Sequence, residues 1–233
     1  SLVIKILICG IIIALHWITF FHAIKISNVS ITVSMISSAA FLTSLIEPLF
    51  FKKKFLLYEL ILGILSLFGV SIIFNAEIKY VDGLIVALIS AVLVSVFTLL
   101  NSRIVINNSS ITISFYELLI GFLFSLFYYY LFIDSSLFLK NINNEDFLLL
   151  IILGVICTSY AFTKSVDLIK YLKPFTIMMV INMEPVYAIL ISLLIFGESE
   201  FLSINFYIGF LIILISVIIN GIFKYKKNKI SYF

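Results

Sequence analysis

Ile181-Asn182-Met183-Glu184-Pro185-Val186-Tyr187, continuing through Leu193-Leu194-Ile195-Phe196-Gly197-Glu198, sets an acid and a proline inside a long apolar run. About 20 consecutive apolar residues span a bilayer as a helix. A carboxylate at the centre of such a helix costs roughly 2.5–3.5 kcal/mol on insertion scales. An interior proline removes a backbone hydrogen bond and kinks the helix. Keeping both at one place points to an irregular helix that turns its polar side inward and lines a pathway.

The composition around this stretch belongs to a membrane protein. Hydrophobic residues make up 63% of the chain and charged residues 12%, with a mean hydropathy of +1.26, whereas a soluble domain is about half apolar and a quarter charged. The expected fold class is therefore an all-α polytopic membrane protein. A net charge of +3 gives no reason to expect a nucleic-acid partner. Cys9 and Cys157 both fall inside apolar runs, which reads as small core residues rather than a disulfide.

Cutting the apolar runs at clusters of charge, Asn, Ser and Pro leaves eight expected spans, at roughly 2–24, 28–51, 56–75, 82–102, 111–133, 147–168, 174–196 and 203–223. The one sizeable loop holds Asp134, Lys140, Glu145 and Asp146. Alternate connections carry Lys52, Lys53 and Lys54, then Arg103, then Lys170 and Lys173, then a tail with Lys224, Lys226, Lys227 and Lys229. The other connections hold Lys25, Lys79 and Lys140 among Glu77, Asp82, Asp134, Glu145, Asp146, Glu198 and Glu200. By the positive-inside rule the lysine-rich side is cytoplasmic, so both ends are expected inside a multi-pass protein of the cell membrane.

The chain also repeats itself. At an offset of about 144, Gly10 falls on Gly154, His16 on Tyr160, Thr32 on Thr176 and Phe41 on Pro185, and after a small gap Gly63 meets Gly209. Helices one to three thus match helices six to eight. A shift of five helices reverses direction through the membrane, so the copies are inverted, an arrangement that builds many secondary transporters with the site near the midplane. The second copy has two further helices ahead of its triplet. The expected organisation is residues 1–76 as the last three helices of one repeat, 77–224 as a complete five-helix repeat, and 225–233 as a basic cytoplasmic tail. By this count eight helices are visible of ten, and the leading Ser agrees with two missing at the start.

Asn182-Met183-Glu184-Pro185-Val186-Tyr187 with Phe196-Gly197-Glu198, the run Leu15-His16-Trp17 with Phe20-Phe21-His22-Ala23-Ile24, and Asp82-Gly83 together resemble the EamA-type transporters of the drug/metabolite transporter superfamily. The resemblance covers nearly the whole chain. It implies a ten-helix inverted-repeat secondary transporter, in many cases an exporter of amino acids or other small metabolites, with no ATPase module. The chain departs from the pattern in lacking the first two helices and in carrying Ala40-Phe41 where the first repeat often has proline.

The polar residues divide by depth. Glu47 and Glu59 lie within about two turns of Lys52 to Lys54, where long side chains snorkel and pair. Glu117 lies two turns into its span and fits either a structural or a functional role. Glu184 sits at mid-span, either locking helices by hydrogen bonds or meeting a substrate amine or carrying a coupling proton, with Asn182 beside it and Pro185 shaping the helix. Tyr160, Lys164, Asp167 and Tyr171 recur at helical spacing on one face, where Lys164 and Asp167 can pair. Lys164 either snorkels toward the cytoplasm or offers a deep cation to a substrate carboxylate. His16 and Trp17 either pack between helices or face a cavity opposite Tyr160, while Ser34, Ser37 and Ser38 read as close-packing residues. The expected substrate-binding set is His16, Trp17, Tyr160, Lys164, Asn182 and Glu184.

These features favour a transporter of small polar metabolites, with the lipid bilayer and a proton or ion as further partners. A homo-oligomer is compatible with the chain. The alternatives are an intramembrane lipid-modifying enzyme and an inactive truncated transporter. The enzyme needs clustered nucleophiles or metal-binding carboxylates, and neither an H-E-x-x-H nor a G-x-S-x-G pattern occurs. No metal or cofactor is expected.

Overall fold

A computed structural model describes residues 2–52, 54–76, 78–132, 143–196 and 203–230. Lys53, Glu77, Asp134, Lys140, Gly197, Glu198 and Glu200 lie outside the described residues, as do the side chains of Pro185 and of the tail lysines.

The chain is an all-α polytopic membrane protein, and no strand occurs among the described residues. The helices are α1 (Leu2–Ile26), α2 (Val29–Ile36), α3 (Ser38–Phe51), α4 (Leu57–Ala76), α5 (Val81–Ile104), α6 (Ser110–Phe132), α7 (Asn144–Ile152), α8 (Ala161–Leu168), α9 (Pro174–Ile181), α10 (Glu184–Phe196) and α11 (Ile204–Ile230). A π-helical stretch, Leu153–Tyr160, joins α7 to α8. Helical segments lie over each of the eight expected runs. Among the described residues, five helices are long and apolar enough to cross a membrane: Leu2–Ile26, Val29–Phe51, Val81–Asn107, Ser110–Phe132 and Asn144–Leu168. Leu57–Ile73 and Ile204–Asn220 are shorter apolar helices.

The chain forms two compact units, residues 1–15 with 100–172 and residues 16–99 with 173–233. Each draws on both expected repeats.

In the second unit, the span made of α2 and α3 is the most enclosed, with 72% of its membrane-length window buried. Helix α2 packs against α10, and α3 against α9 and α4. Helices α4 and α11 meet where glycine lets backbones touch. A Cβ on Gly69 would lie 2.6 Å from the Gly209 carbonyl oxygen and 2.8 Å from Ile213, and one on Gly209 would lie 2.6 Å from the Gly69 carbonyl oxygen and 2.8 Å from Ile73. The contact is reciprocal, Gly69 meeting Ile213 and Gly209 meeting Ile73. The Ser66 and Ser216 hydroxyls, 2.6 Å apart, tie the same crossing.

In the first unit, α1 crosses α6 closely, and a Cβ on Gly10 would lie 2.7 Å from Ile120. Small residues at such crossings gain dispersion contacts that lipid cannot supply. The span Asn144–Leu168 has only 6% of its window buried and touches α6 through α8.

Candidate functional site

Two of the spans in the second unit are broken in the middle, and the breaks meet. Helix α2 ends at Ile36, Ser37 forms a turn, and α3 starts at Ser38. Helix α9 ends at Ile181, Asn182 and Met183 form a turn, and α10 starts at Glu184. The Asn182 side-chain amide donates to the Ser37 carbonyl at 3.4 Å, a long bond that links one turn to the other. The turn at Asn182 and Met183 tightens the hydrogen bonding, with the Met183 N–H donating to the Val180 carbonyl at 2.9 Å, and Pro185 follows as the second residue of α10, a position where its missing N–H costs little.

Polar atoms concentrate around the breaks. The side-chain oxygens of Ser34, Ser37, Ser38, Thr43 and Thr176, and the Oδ1 of Asn182, are buried without a hydrogen-bond partner among the described residues. Buried hydroxyls and amides normally find partners, so this cluster is unlike an ordinary packing seam. Glu184, the first residue of α10, is exposed. There the N-terminal end of the helix dipole favours an anionic side chain. The serines had been read as close-packing residues. Their spacing around Ser37 was the available signal, and it is silent until the break is seen.

Glu47 closes one end of this region. Its carboxylate accepts the Phe175 backbone N–H at 2.9 Å and so caps the start of α9 from α3. Glu59 accepts the Tyr58 hydroxyl at 2.8 Å and lies 3.8 Å from the Lys173 ammonium. Both acids were expected beside Lys52 to Lys54. The chain uses them to hold the start of α9.

His16 is buried and tied to α5. Its Nδ1 lies 3.0 Å from the Ser90 carbonyl and 2.8 Å from the Ser90 hydroxyl, which donates to the His16 carbonyl at 3.0 Å. With the hydroxyl proton used there, Nδ1–H donates to the Ser90 carbonyl. Trp17 is half-buried on the same helix.

In the first unit, Tyr160 and Lys164 line a cavity of about 390 Å³ with Ser109, Ser110, Thr163, Asp167 and Lys170. The Lys164 ammonium lies 5.8 Å from the centre of the Tyr160 ring. Asp167, expected to pair with Lys164, accepts the Ser110 hydroxyl at 2.5 Å and pairs with Lys170 at 3.3 Å. The partner from α6 could not be read from spacing along one helix. Of the six expected site residues, His16, Trp17, Asn182 and Glu184 therefore belong to one compact unit and Tyr160 and Lys164 to the other.

A solved crystal structure is similar over 91% of this chain and 73% of its own, at 17% identity and a TM-score of 0.68, which establishes the shared fold. No curated protein matches the chain. The family described as "EamA-like transporter family" matches residues 81–222. With apolar membrane-length helices and that match across more than half its length, the chain belongs to the EamA-like transporter family, membrane transporters of the drug/metabolite type.

Proposed function

We propose that the protein is a secondary active transporter that exports small polar metabolites, amino acids among them, by alternating access. The observation that carries this reading is the meeting of two broken spans at Ser37 and Asn182, ringed by buried hydroxyls that lack partners. Helices interrupted at the midplane expose backbone ends and short polar side chains to a ligand, which is how inverted-repeat transporters build their sites. Substrate hydroxyl, amide or carboxylate groups would take the Ser34, Ser37, Ser38 and Asn182 atoms, and Glu184 would meet a substrate ammonium. Trp17 supplies an apolar wall. In the first unit, Lys164 and Tyr160 offer an anion a contact of their own, in the cavity they line. His16 is assigned to holding α1 on α5.

The reciprocal Gly69–Gly209 contact supports an inverted pair of repeats, which we assign to residues 1–76 and 77–224 with a basic tail at 225–233. The lysine distribution supports a cytoplasmic tail in the cell membrane.

The test is a flux screen in vesicles loaded with a panel of amino acids and related metabolites. Asn182→Ala and Glu184→Gln are expected to lower flux at least several-fold while the protein stays folded, with Glu184→Gln acting on substrates that carry an amine. Absence of flux for every solute with folded, correctly inserted protein would overturn the transport reading. Unchanged flux in both variants would move the site elsewhere.

A further inference from the structure

Glu117 has no part in the site at the helix breaks, and its surroundings have a chemistry of their own. It is fully buried on α6. The Asn101 side-chain amide, reaching from the end of α5 and itself fully buried, donates to Glu117 Oε1 at 2.8 Å. The buried Cys9 thiol faces the same carboxyl from α1. Ser114, one turn earlier on α6, adds a buried hydroxyl without a partner. No lysine, arginine or histidine pairs with Glu117 among the described residues. Its titratable neighbour from the packed helices is Cys9, and Asn101 is neutral.

Two acceptor atoms in this cluster have no hydrogen-bond partner, Glu117 Oε2 and Asn101 Oδ1. As a carboxylate, Glu117 would be an unpaired anion in a medium that does not solvate it, served by one amide N–H and at most a weak thiol donor. One proton repairs both defects. Placed on Oε2, it removes the charge and turns an orphaned acceptor into a donor, for which the equally orphaned Asn101 Oδ1 is the acceptor on the residue already bonded to Oε1.

We propose that Glu117 and Asn101 form a proton-binding site in the first unit, one that exchanges its proton with water. The exchange is an acid–base step in which the carboxylate takes one proton from water and returns it. A metal cation fits poorly. The side-chain oxygens at hand are those of Glu117, Asn101 and Ser114, fewer than the six or more that a hard cation takes. Because Glu117 sits at the crossing of α1 and α6, losing the proton favours admitting water there and loosening that contact.

The experiment reads the proton directly and needs no substrate. Full-length chain in bilayer nanodiscs is compared in acidic and alkaline buffer by infrared difference spectroscopy, with released protons counted by an indicator dye. The wild type is expected to show a protonated-carboxyl band that disappears on alkalinisation. Glu117→Gln preserves an amide–amide pair with Asn101, so it is expected to fold, to lack that band and to release one proton fewer per chain. Asn101→Leu is expected to shift the band to the higher frequency of a more weakly hydrogen-bonded acid. Proton release from Glu117→Gln equal to wild type would overturn the proposal. So would a Glu117 band that persists at every pH where the protein stays folded, or one that responds to sodium at constant pH. Since flux is not measured, failure here leaves the transport reading standing.

Discussion

Replacing Gly209 by alanine probes the α4–α11 crossing with the smallest possible change. The added carbon would stand 2.6 Å from the Gly69 carbonyl oxygen, where ordinary contact begins at 3.4 Å. The obstacle is backbone, so the helices must part by most of an ångström. Overpacking of this kind costs about 1–3 kcal/mol. Parting the helices also stretches the 2.6 Å Ser66–Ser216 hydrogen bond, which is worth about 1 kcal/mol. Alanine returns up to about 1 kcal/mol through its better helix propensity. The net expectation is a loss of about 1–3 kcal/mol, measured by denaturant titration in mixed micelles. Gly69→Ala meets the mirror-image obstacle and should cost about the same. Once the first methyl group has separated the helices, the second enters cheaply, so the double variant should fall short of the summed losses by about 1 kcal/mol or more. Gly154→Ala, whose Cβ meets open space, is the control and should be neutral to stabilising by up to about 1 kcal/mol. The reasoning fails if either single variant is as stable as wild type or if the pair is additive within about 0.5 kcal/mol.

Three other perturbations bear on separate parts of the chain. Glu47→Ala leaves the buried Phe175 N–H without its acceptor and should destabilise by about 1–3 kcal/mol, with Glu47→Gln milder because an acceptor oxygen remains; equal effects of the two would refute the cap. His16→Phe removes the side-chain link from α1 to α5 and should lower stability by about 1–2 kcal/mol, with flux per folded molecule preserved; selective loss of flux would instead make His16 a ligand-contacting residue. Lys164→Ala should leave the folded yield unchanged, since the side chain is exposed, and reduce vesicle flux of solutes bearing a carboxylate several-fold; undiminished carboxylate flux would remove it from the site.

How much of this was legible in the sequence follows from the range of each interaction. The eight apolar runs were readable because spanning length and apolarity are local properties of a segment. The anomaly at Glu184-Pro185 is also local and falls beside the turn at Asn182 and Met183, but where a helix turns depends on what receives its freed backbone groups. Here the Asn182 amide and the turn at Ser37 come together, 145 residues apart in the chain. Ser37 gave no warning, because a serine that packs and a serine that breaks a helix look alike in composition. Asp167 lines the same cavity as Lys164, but its hydrogen bond comes from Ser110 on α6, which spacing along one helix cannot show. The Asn101–Glu117 pair joins two helices whose rotations about their axes no periodicity fixes.

The π-helical stretch Leu153–Tyr160 sets a direction as well as a shape. A π turn holds more residues than an α turn, because its hydrogen bonds reach one residue further. Winding this stretch in π therefore turns α8 about its own axis relative to α7, compared with an uninterrupted α-helix. The bearing of Lys164 over the Tyr160 ring therefore depends on the backbone a turn before it. Rewinding those residues into α form would swing the lysine around the helix without severing the span. In that sense the stretch acts as a dial, and a one-residue deletion between Leu153 and Tyr160 would change where Lys164 points far more than it would change the length of the helix.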